Sequence, residues 1–598
     1  MLIKTAILKP LKKSSFLSRN NPMPKSTPKA EPAQLPFVIV GCGFAGTSVL
    51  LHTLLRVADD PSITAPVDIR IVERREEQKH AGLAYGKAPD YKKHNLNIGA
   101  KRVNPFPAGA QPEGFPTFVD YIQDLSKKNP EMKVCLTNPP RQLYGDYLQH
   151  LVGLAVDKAG SKVRVSYVMA QATRVNEHKN HTTITLDGNE TLKCAHVVLA
   201  TGFQDALAPK FAAAAANSPR FIETPYSKSA NDFFAHVCQH KNSDVLVIGT
   251  GLTSMDIAAR LINSGHEGKI TMMSRRALMH KPYEETPVEE YIATRLRGEP
   301  RPESELPFTK TPPAFMQAET VPAFVKAVVK EFKQLTRQGF TSEEVITYWE
   351  RFVPQIAEKL PKDQLAKLFA QHDVLLTTSR VGVTPDIGRT VRQAMQSGRI
   401  KVVSASIQSI REVNGKMETI YSPSPSPENL MIRIASVLNL KSAPAQRVGV
   451  HDFVFSGMGN SISYDPEKSV VRDPLWRDLL ENGKAKPHWT KAGVTVTNGF
   501  SLVDTDGRAA KGISVIGVPV AGHMTVTAYK YPERPGAGGR IGPTALNVAG
   551  ITGATLAFLD QNYDRLMQGF RRPAPDAVND KLFKTGLARE KTPKPKVY

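Results

Sequence analysis

Cysteine is scarce in this 598-residue chain. The four, Cys42, Cys135, Cys194 and Cys238, lie far apart and form no C-x-x-C pair, which excludes a local redox dithiol. No His/Cys cluster has metal-ligand spacing, so no metal centre is expected. No run approaches the roughly 18 to 20 apolar residues needed to span a bilayer. Acid is missing from the first thirty residues, which carry Lys4, Lys9, Lys12, Lys13, Arg19, Lys25 and Lys29. Such a basic, serine-containing start is of the kind organelle presequences have. It fails as a secretory signal because Lys9, Pro10, Lys12 and Lys13 interrupt any apolar core. The expectation is a soluble, cytoplasmic protein, with organelle targeting by the basic N-terminus left open.

What is present is ordinary for an enzyme: 41% apolar and 22% charged residues. The length exceeds what one hydrophobic core usually holds, so two or three domains are expected. The net charge of +22 concentrates partly in two ends, residues 1–35 and 566–598, the latter running from Arg571 and Arg572 to Lys594 and Lys596. Both read as solvated tails that keep the protein soluble or contact an acidic partner. Nucleic acid is not the expected ligand.

"FVIVGCGFAGTS" (37–48) joins a wholly apolar, β-branched run to Gly41, Gly43 and Gly46 and then to a helix-like stretch. Strand, G-x-G-x-x-G and helix in that order form a dinucleotide cradle, with Phe44 and Ala45 inside the turn. The unpaired N–H groups of the helix start suit a pyrophosphate. "VDIRIVERR" follows as an alternating strand ending at Glu73 beside Arg74, and a carboxylate there can accept both hydroxyls of an adenosine ribose.

"DVLVIGTGLTSMD" (244–256) repeats the pattern with Gly249, Gly251, Leu252, Thr253 and Ser254, the serine standing where a third glycine is usual. The next strand, "KITMMSRR", ends in Ser274, Arg275 and Arg276. Arginines pair with a 2′-phosphate that a carboxylate would repel, so this second cradle selects NADPH over NADH. An acid at one turn and bases at the other imply two different dinucleotides, FAD at the first and NADPH at the second.

With both turns in view, the chain resembles the bacterial FAD-NAD(P)-binding family, distantly similar to flavin-dependent N-hydroxylating and Baeyer–Villiger monooxygenases. The resemblance rests on "VIVGCGFAGTS", "GLAYGKAPDYKKHNLNIGAKRVNPFP" (82–107), "RQLYGDYL" (141–148), "GTGLTSMDIA" (249–258) and "GHEGKITMMSRRALM" (265–279). It implies Tyr85, Asn95 and Asn97 as flavin neighbours, and Thr201 and Gly202, in the A-T-G that closes the strand "AHVVLATGF", as further contacts. A closing strand and helix near the C-terminus add Gly517 and Gly542, with His523 as the candidate catalytic proton donor. Two departures stand out. "FIETPYS" offers Glu223 and Thr224 where many related monooxygenases carry a histidine, and "AGHMTVTAYKYPERPGAGGRIGP" replaces a W-E pair.

The expected architecture is α/β, two Rossmann-like dinucleotide-binding domains of a two-dinucleotide-binding flavoprotein with a helical insertion. The FAD-binding domain takes 36–240 and 445–565, the NADPH-binding domain 241–284 and 376–444, and the insertion 285–375. Within the insertion, Val321, Phe324, Val325, Val328, Val329 and Phe332 recur at helical spacing, and Thr341 with Glu344 makes a capping box. Strands are read in "HDVLLTTS", "IKVVSASI" and "HDFVFSGMGN", the last taken to lead back to the first domain. The functional expectation is an NADPH-dependent flavoenzyme using dioxygen on a small nucleophilic substrate. A flavin reductase passing electrons to an organic or protein acceptor, and a non-catalytic nucleotide sensor, are the alternatives.

Overall fold

The computed structural model describes residues 34–87, 94–97, 99–100, 103–107, 109–131, 134, 136, 138–203, 209–280, 313–338, 345, 349, 352–367, 382–424, 445–459, 464, 471–526 and 548–571. All elements below lie in the unit that begins at Leu35.

In chain order the first lobe opens with β1 (Phe37–Val40), α1 (Phe44–Asp59), β2 (Val67–Glu73), α2 (Gly82–Tyr85), α3 (Phe118–Lys128), α4 (Arg141–Ala159) and β3 (Val163–Met169). A three-stranded antiparallel meander follows, β4 (Ala172–Glu177), β5 (Thr182–Leu186) and β6 (Thr191–Cys194), and then β7 (His196–Leu199). The second lobe holds β8 (Phe221–Ile222), α5 (Lys228–Gln239), β9 (Val245–Ile248), α6 (Leu252–Asn263) and β10 (Ile270–Ser274). Helices α7 (Val321–Arg337) and α8 (Val353–Lys359) lie within the 285–375 segment. The second lobe resumes with α9 (Pro385–Gln396), β11 (Ile400–Val413), β12 (Lys416–Pro423), β13 (Arg447–His451) and β14 (Phe453–Ser456). The first lobe closes with α10 (Pro474–Glu481), β15 (Ser501–Val503), β16 (Ala509–Val515), α11 (Ala521–Val526) and α12 (Val548–Met567).

The first sheet has the order β15-β16-β7-β1-β2-β3 and the second β13-β12-β11-β10-β9-β14-β8. In each, the strand preceding a glycine turn is central and parallel to its neighbours. The continuous apolar runs Phe37–Val40 and Val245–Ile248 explain this, since all eight residues are buried and a strand covered on both faces needs no polar alternation. Helix α1 is buried along nearly its whole length because α4 and α12 pack on it as well as the sheet.

The two-lobe α/β expectation holds, as does the helix at 321–337. Three boundaries move. Phe221–Ile222, α5 and Arg447–Ser456 belong to the second lobe, not the first: β14 lies parallel between β9 and β8, and Phe233 and Phe234 pack on Phe455. The second lobe's sheet therefore draws on 221–456, and the chain returns to the first lobe only after Ser456. At the far end, α12 runs to Met567 and is followed by a short helical turn to Phe570, both residues buried, and Arg571 pairs with Asp60 and Asp564. The basic tail thus starts after Arg571 rather than at 566. Most of the N-terminal tail (1–33), the rest of the C-terminal tail, the Thr341–Glu344 box and "HDVLLTTS" lie outside the described residues.

Candidate functional sites at the two glycine turns

A pocket opens at the C-terminal ends of β1, β2 and β7, the crevice where open parallel sheets take ligands. Gly41 makes the turn possible: its φ is +97°, and a Cβ there would sit 2.5 Å from the Ala200 carbonyl oxygen. Its amide donates to the Val72 carbonyl at 2.8 Å, anchoring the turn across β2. Helix α1 begins at Gly43 with no side-chain cap and no acid in its first turn, so its amides are left to meet an anion. Glu73 is buried, and its carboxylate accepts from the Cys42 amide at 2.7 Å and the Arg75 amide at 3.1 Å. The residues fit a dinucleotide: glycines where the backbone must approach, an uncapped helix start, and an acid at the end of the second strand.

Gly41, Gly43, Phe44, Ala45, Glu73, Arg74, Tyr85, Thr201 and Gly202 all line this pocket. Gly46 does not; it lets α1 press on the turn, where a Cβ would lie 1.9 Å from the Gly41 carbonyl oxygen. Gly517 is not in the lining either, although Val518 beside it is. The ring of Tyr85 meets Phe44 and Tyr144 edge-on, and burial raises its phenol pKa. Asn95 and Asn97 fall outside the lining: the Asn95 carbonyl and the Asn97 side chain accept from the Arg141 guanidinium at 3.1 and 3.3 Å. His523 is buried against Phe500, also outside this pocket's lining, and burial lowers its pKa to about 4. Gly542 lies outside the described residues.

Sequence reading missed Asp473, Leu475 and Ile551 in the lining. It also missed the buried Trp476, whose indole N–H donates to the Thr201 hydroxyl at 2.8 Å. Asp473 caps α10 through the Leu475 and Trp476 amides. The string Asp-Pro-Leu-Trp carries a cap and a proline at a helix start, but nothing local says that this helix returns to a strand some 270 residues earlier. Cys42 is inert: burial pushes its thiol up to about 12.

The second turn repeats the first. Gly249 has φ +105°, and its amide donates to the Met273 carbonyl at 2.7 Å. Helix α6 starts at Gly251, again uncapped and free of acid in its first turn, which contains Leu252, Thr253 and Ser254. The Ser254 hydroxyl bonds to the Gly457 carbonyl at 3.2 Å. Ser274 ends β10 with its hydroxyl on that of Thr250 at 2.9 Å and accepting the Ala277 amide at 3.0 Å. Arg275 and Arg276 follow, both exposed.

Residues 38–204 match a family model described as FAD-NAD(P)-binding. No curated protein matches the sequence. Among solved structures the chain is similar to DfoA, a cadaverine monooxygenase of the desferrioxamine biosynthetic pathway from Erwinia amylovora solved bound to FAD. That likeness has 10% identity and a TM-score of 0.50, covering 95% of this chain and 100% of that one. It is similar also to L-lysine 6-monooxygenase from Pseudomonas syringae, at 13% identity and a TM-score of 0.50, covering 90% of this chain and 100% of that one. At these identities the likeness is one of fold. Residues 38–204 thus match an FAD-NAD(P)-binding family model, and the α/β fold around them is like that of these two structures.

Proposed function

We propose that the protein is an NADPH-dependent, FAD-containing monooxygenase acting on a small nucleophilic substrate. The observation that carries this reading is the pair of equivalent turns with unlike partners at the end of the following strand, a buried carboxylate at Glu73 and exposed guanidinium groups at Arg275 and Arg276. Glu73 is suited to ribose hydroxyls and repels a 2′-phosphate; the arginines attract one.

When bound, the flavin would supply hydride acceptance and dioxygen activation. This chain's part is to bind, orient and shield. The uncapped start of α1 holds the pyrophosphate, Glu73 orients the ribose, and Tyr85 with Phe44 gives the pocket an apolar wall. The start of α6 holds the second pyrophosphate. The similar proteins named above are described as monooxygenases of cadaverine and of L-lysine, so a primary amine is the first nucleophile to offer.

The test is a visible spectrum of the purified, flavin-loaded protein before and after anaerobic NADPH, followed by air with and without a diamine or amino acid. Bleaching by NADPH, then oxygenated product in step with NADPH consumed, is the expected result. Bleaching with steady turnover on an organic acceptor and no oxygenated product would instead identify a reductase. Failure to take up flavin would overturn both.

A further inference from the structure

The linker "FIETPYS" enters the second lobe through β8 and carries Tyr226. Its hydroxyl donates to the Asp256 carboxylate at 2.9 Å, and Thr253 also hydrogen-bonds the phenol. Thr253 and Asp256 are three residues apart on one face of α6, in the turns that follow Gly251. The opposite side of Tyr226 faces the first lobe: its ring meets the His94 ring edge-on at 5.7 Å. His94 is held in turn by Arg141, whose amide donates to the His94 carbonyl at 3.0 Å and whose guanidinium binds Asn95 and Asn97. Arg141 begins α4, the helix that also carries Tyr144 against Tyr85 of the flavin-side pocket. An unbroken set of contacts therefore runs from the wall of the first cradle to the helix start of the second.

Asp256 is 8% exposed. Burial raises its carboxyl pKa, and the Arg141 charge and the Tyr226 hydrogen bond oppose that rise. A buried carboxylate is retained at a cost unless it is paired, so a Tyr–Asp bond at this place fixes geometry at the expense of easy packing.

Resting on the function proposed above, we infer that Tyr226, with Asp256 as its acceptor, is the positioning residue that sets the nicotinamide-bearing lobe against the flavin-bearing lobe for hydride transfer. Transfer needs reacting atoms about 3 to 3.5 Å apart, and misplacement by about 1 Å costs up to 100-fold. The hydrogen bond fixes α6 to the ring that packs on His94, and so acts on that distance.

The experiment is anaerobic rapid-mixing reduction of full-length, flavin-loaded protein by NADPH, comparing Tyr226→Phe, Asp256→Leu, which has no acceptor at this place, and the double variant with wild type. The expected result is a limiting reduction rate lowered about tenfold in each single variant and little further in the double, since both remove one bond. Flavin content and the NADPH concentration for half-maximal rate should stay within about twofold of wild type. Glu223→Gln, in the same linker but in an ion pair with the exposed Arg472, should reduce at the wild-type rate. Wild-type rates in both single variants, an equal slowing by Glu223→Gln, or a loss confined to half-saturation would overturn the positioning role alone. A wild type that NADPH does not reduce would overturn the function and this role together. If Tyr226→Phe does not fold, Asp256→Leu, which removes the acceptor, reads the same bond.

Discussion

In the first turn the Gly41 amide donates to Val72 and in the second the Gly249 amide donates to Met273, each the penultimate residue of the neighbouring strand. The residue after each of these glycines is then tied to that strand's last residue, Cys42 to Glu73 and Thr250 to Ser274. The plan is common, but the packing is inverted. In the first lobe α1 approaches through Gly46 and the adjacent strand end is Ala200; in the second α6 approaches through Ser254 and the equivalent strand end is Gly457. The equivalence is set by matching amide bonds, Ala200 to Val40 and Gly457 to Ile248, both 2.8 Å. The glycine needed for close approach has moved from the helix to the strand, which is why a serine fits where the motif calls for a third glycine.

That comparison predicts unequal damage. Gly46→Ser, which copies the second turn into the first, drives Cβ into a backbone carbonyl that cannot move aside; it should cost more than about 3 kcal/mol and abolish flavin retention. Flavin absorbance per polypeptide and denaturant titration read both. Gly457→Ala should cost about 1 to 3 kcal/mol, because the first obstacle is the Ser254 hydroxyl at 2.2 Å, and Ser254→Gly should recover part of it. No recovery would mean that the exchanged pair is not the reason for the serine.

Acid should separate the lobes next. Burial lowers the imidazole pKa of His52, His80 and His523 to about 4, and of His94, His196 and His488 to about 3, all in the first lobe. In the second lobe His266 and His451 are lowered as well. A folded pKa below the ordinary 6.5 means that stability is fully present above that value and is lost as pH falls through the folded value. Each group lowered to about 3 or 4 contributes on the order of 1 kcal/mol or more. Between pH 6.5 and 4, amide exchange should therefore rise earlier in β1, β7 and α1 than in β9 and β14. Simultaneous loss would sink the expectation.

The arginines test the chemical half of the comparison. Replacing Arg275 and Arg276 together with alanine should reduce the preference for NADPH over NADH by roughly ten- to 100-fold, as expected on losing charge-assisted bonds to a phosphate. Steady-state ratios for the two nucleotides measure it, and flavin content should not change.

Local pattern made much of this legible. Apolar runs ending in glycine gave β1 and β9, and helical spacing gave α7. Gly41, Gly43 and Glu73 lie at the pocket because the motif itself encodes a strand end and a helix start, while Tyr85 and Thr201, which line it too, were implied only by the family resemblance. What failed is what depends on partners distant in sequence. Phe453–Ser456 is four apolar-rich residues with no mark of which sheet they join, so the lobe boundary fell on the wrong side of them. The burial of His523 beside Phe500 is likewise a contact that no local pattern announces. Asn95 and Asn97 serve Arg141, and no spacing rule announces that.

The smallest expected effect concerns how each turn's neighbouring hydroxyl is anchored. Thr201 accepts from the buried indole of Trp476, a contact across 275 residues, whereas Ser274 bonds to Thr250 within its own turn. Thr201→Val leaves the indole N–H without this acceptor and should cost about 1 to 2 kcal/mol, while Thr201→Ser keeps the oxygen and should cost less than half of that. Ser274→Ala should cost under about 1 kcal/mol, because the Thr250 hydroxyl still has the Leu278 carbonyl to bond. Denaturation midpoints of the three variants rank the anchors, and a larger loss from Thr201→Ser than from Thr201→Val would show that the methyl packing, rather than the indole bond, secures the first turn.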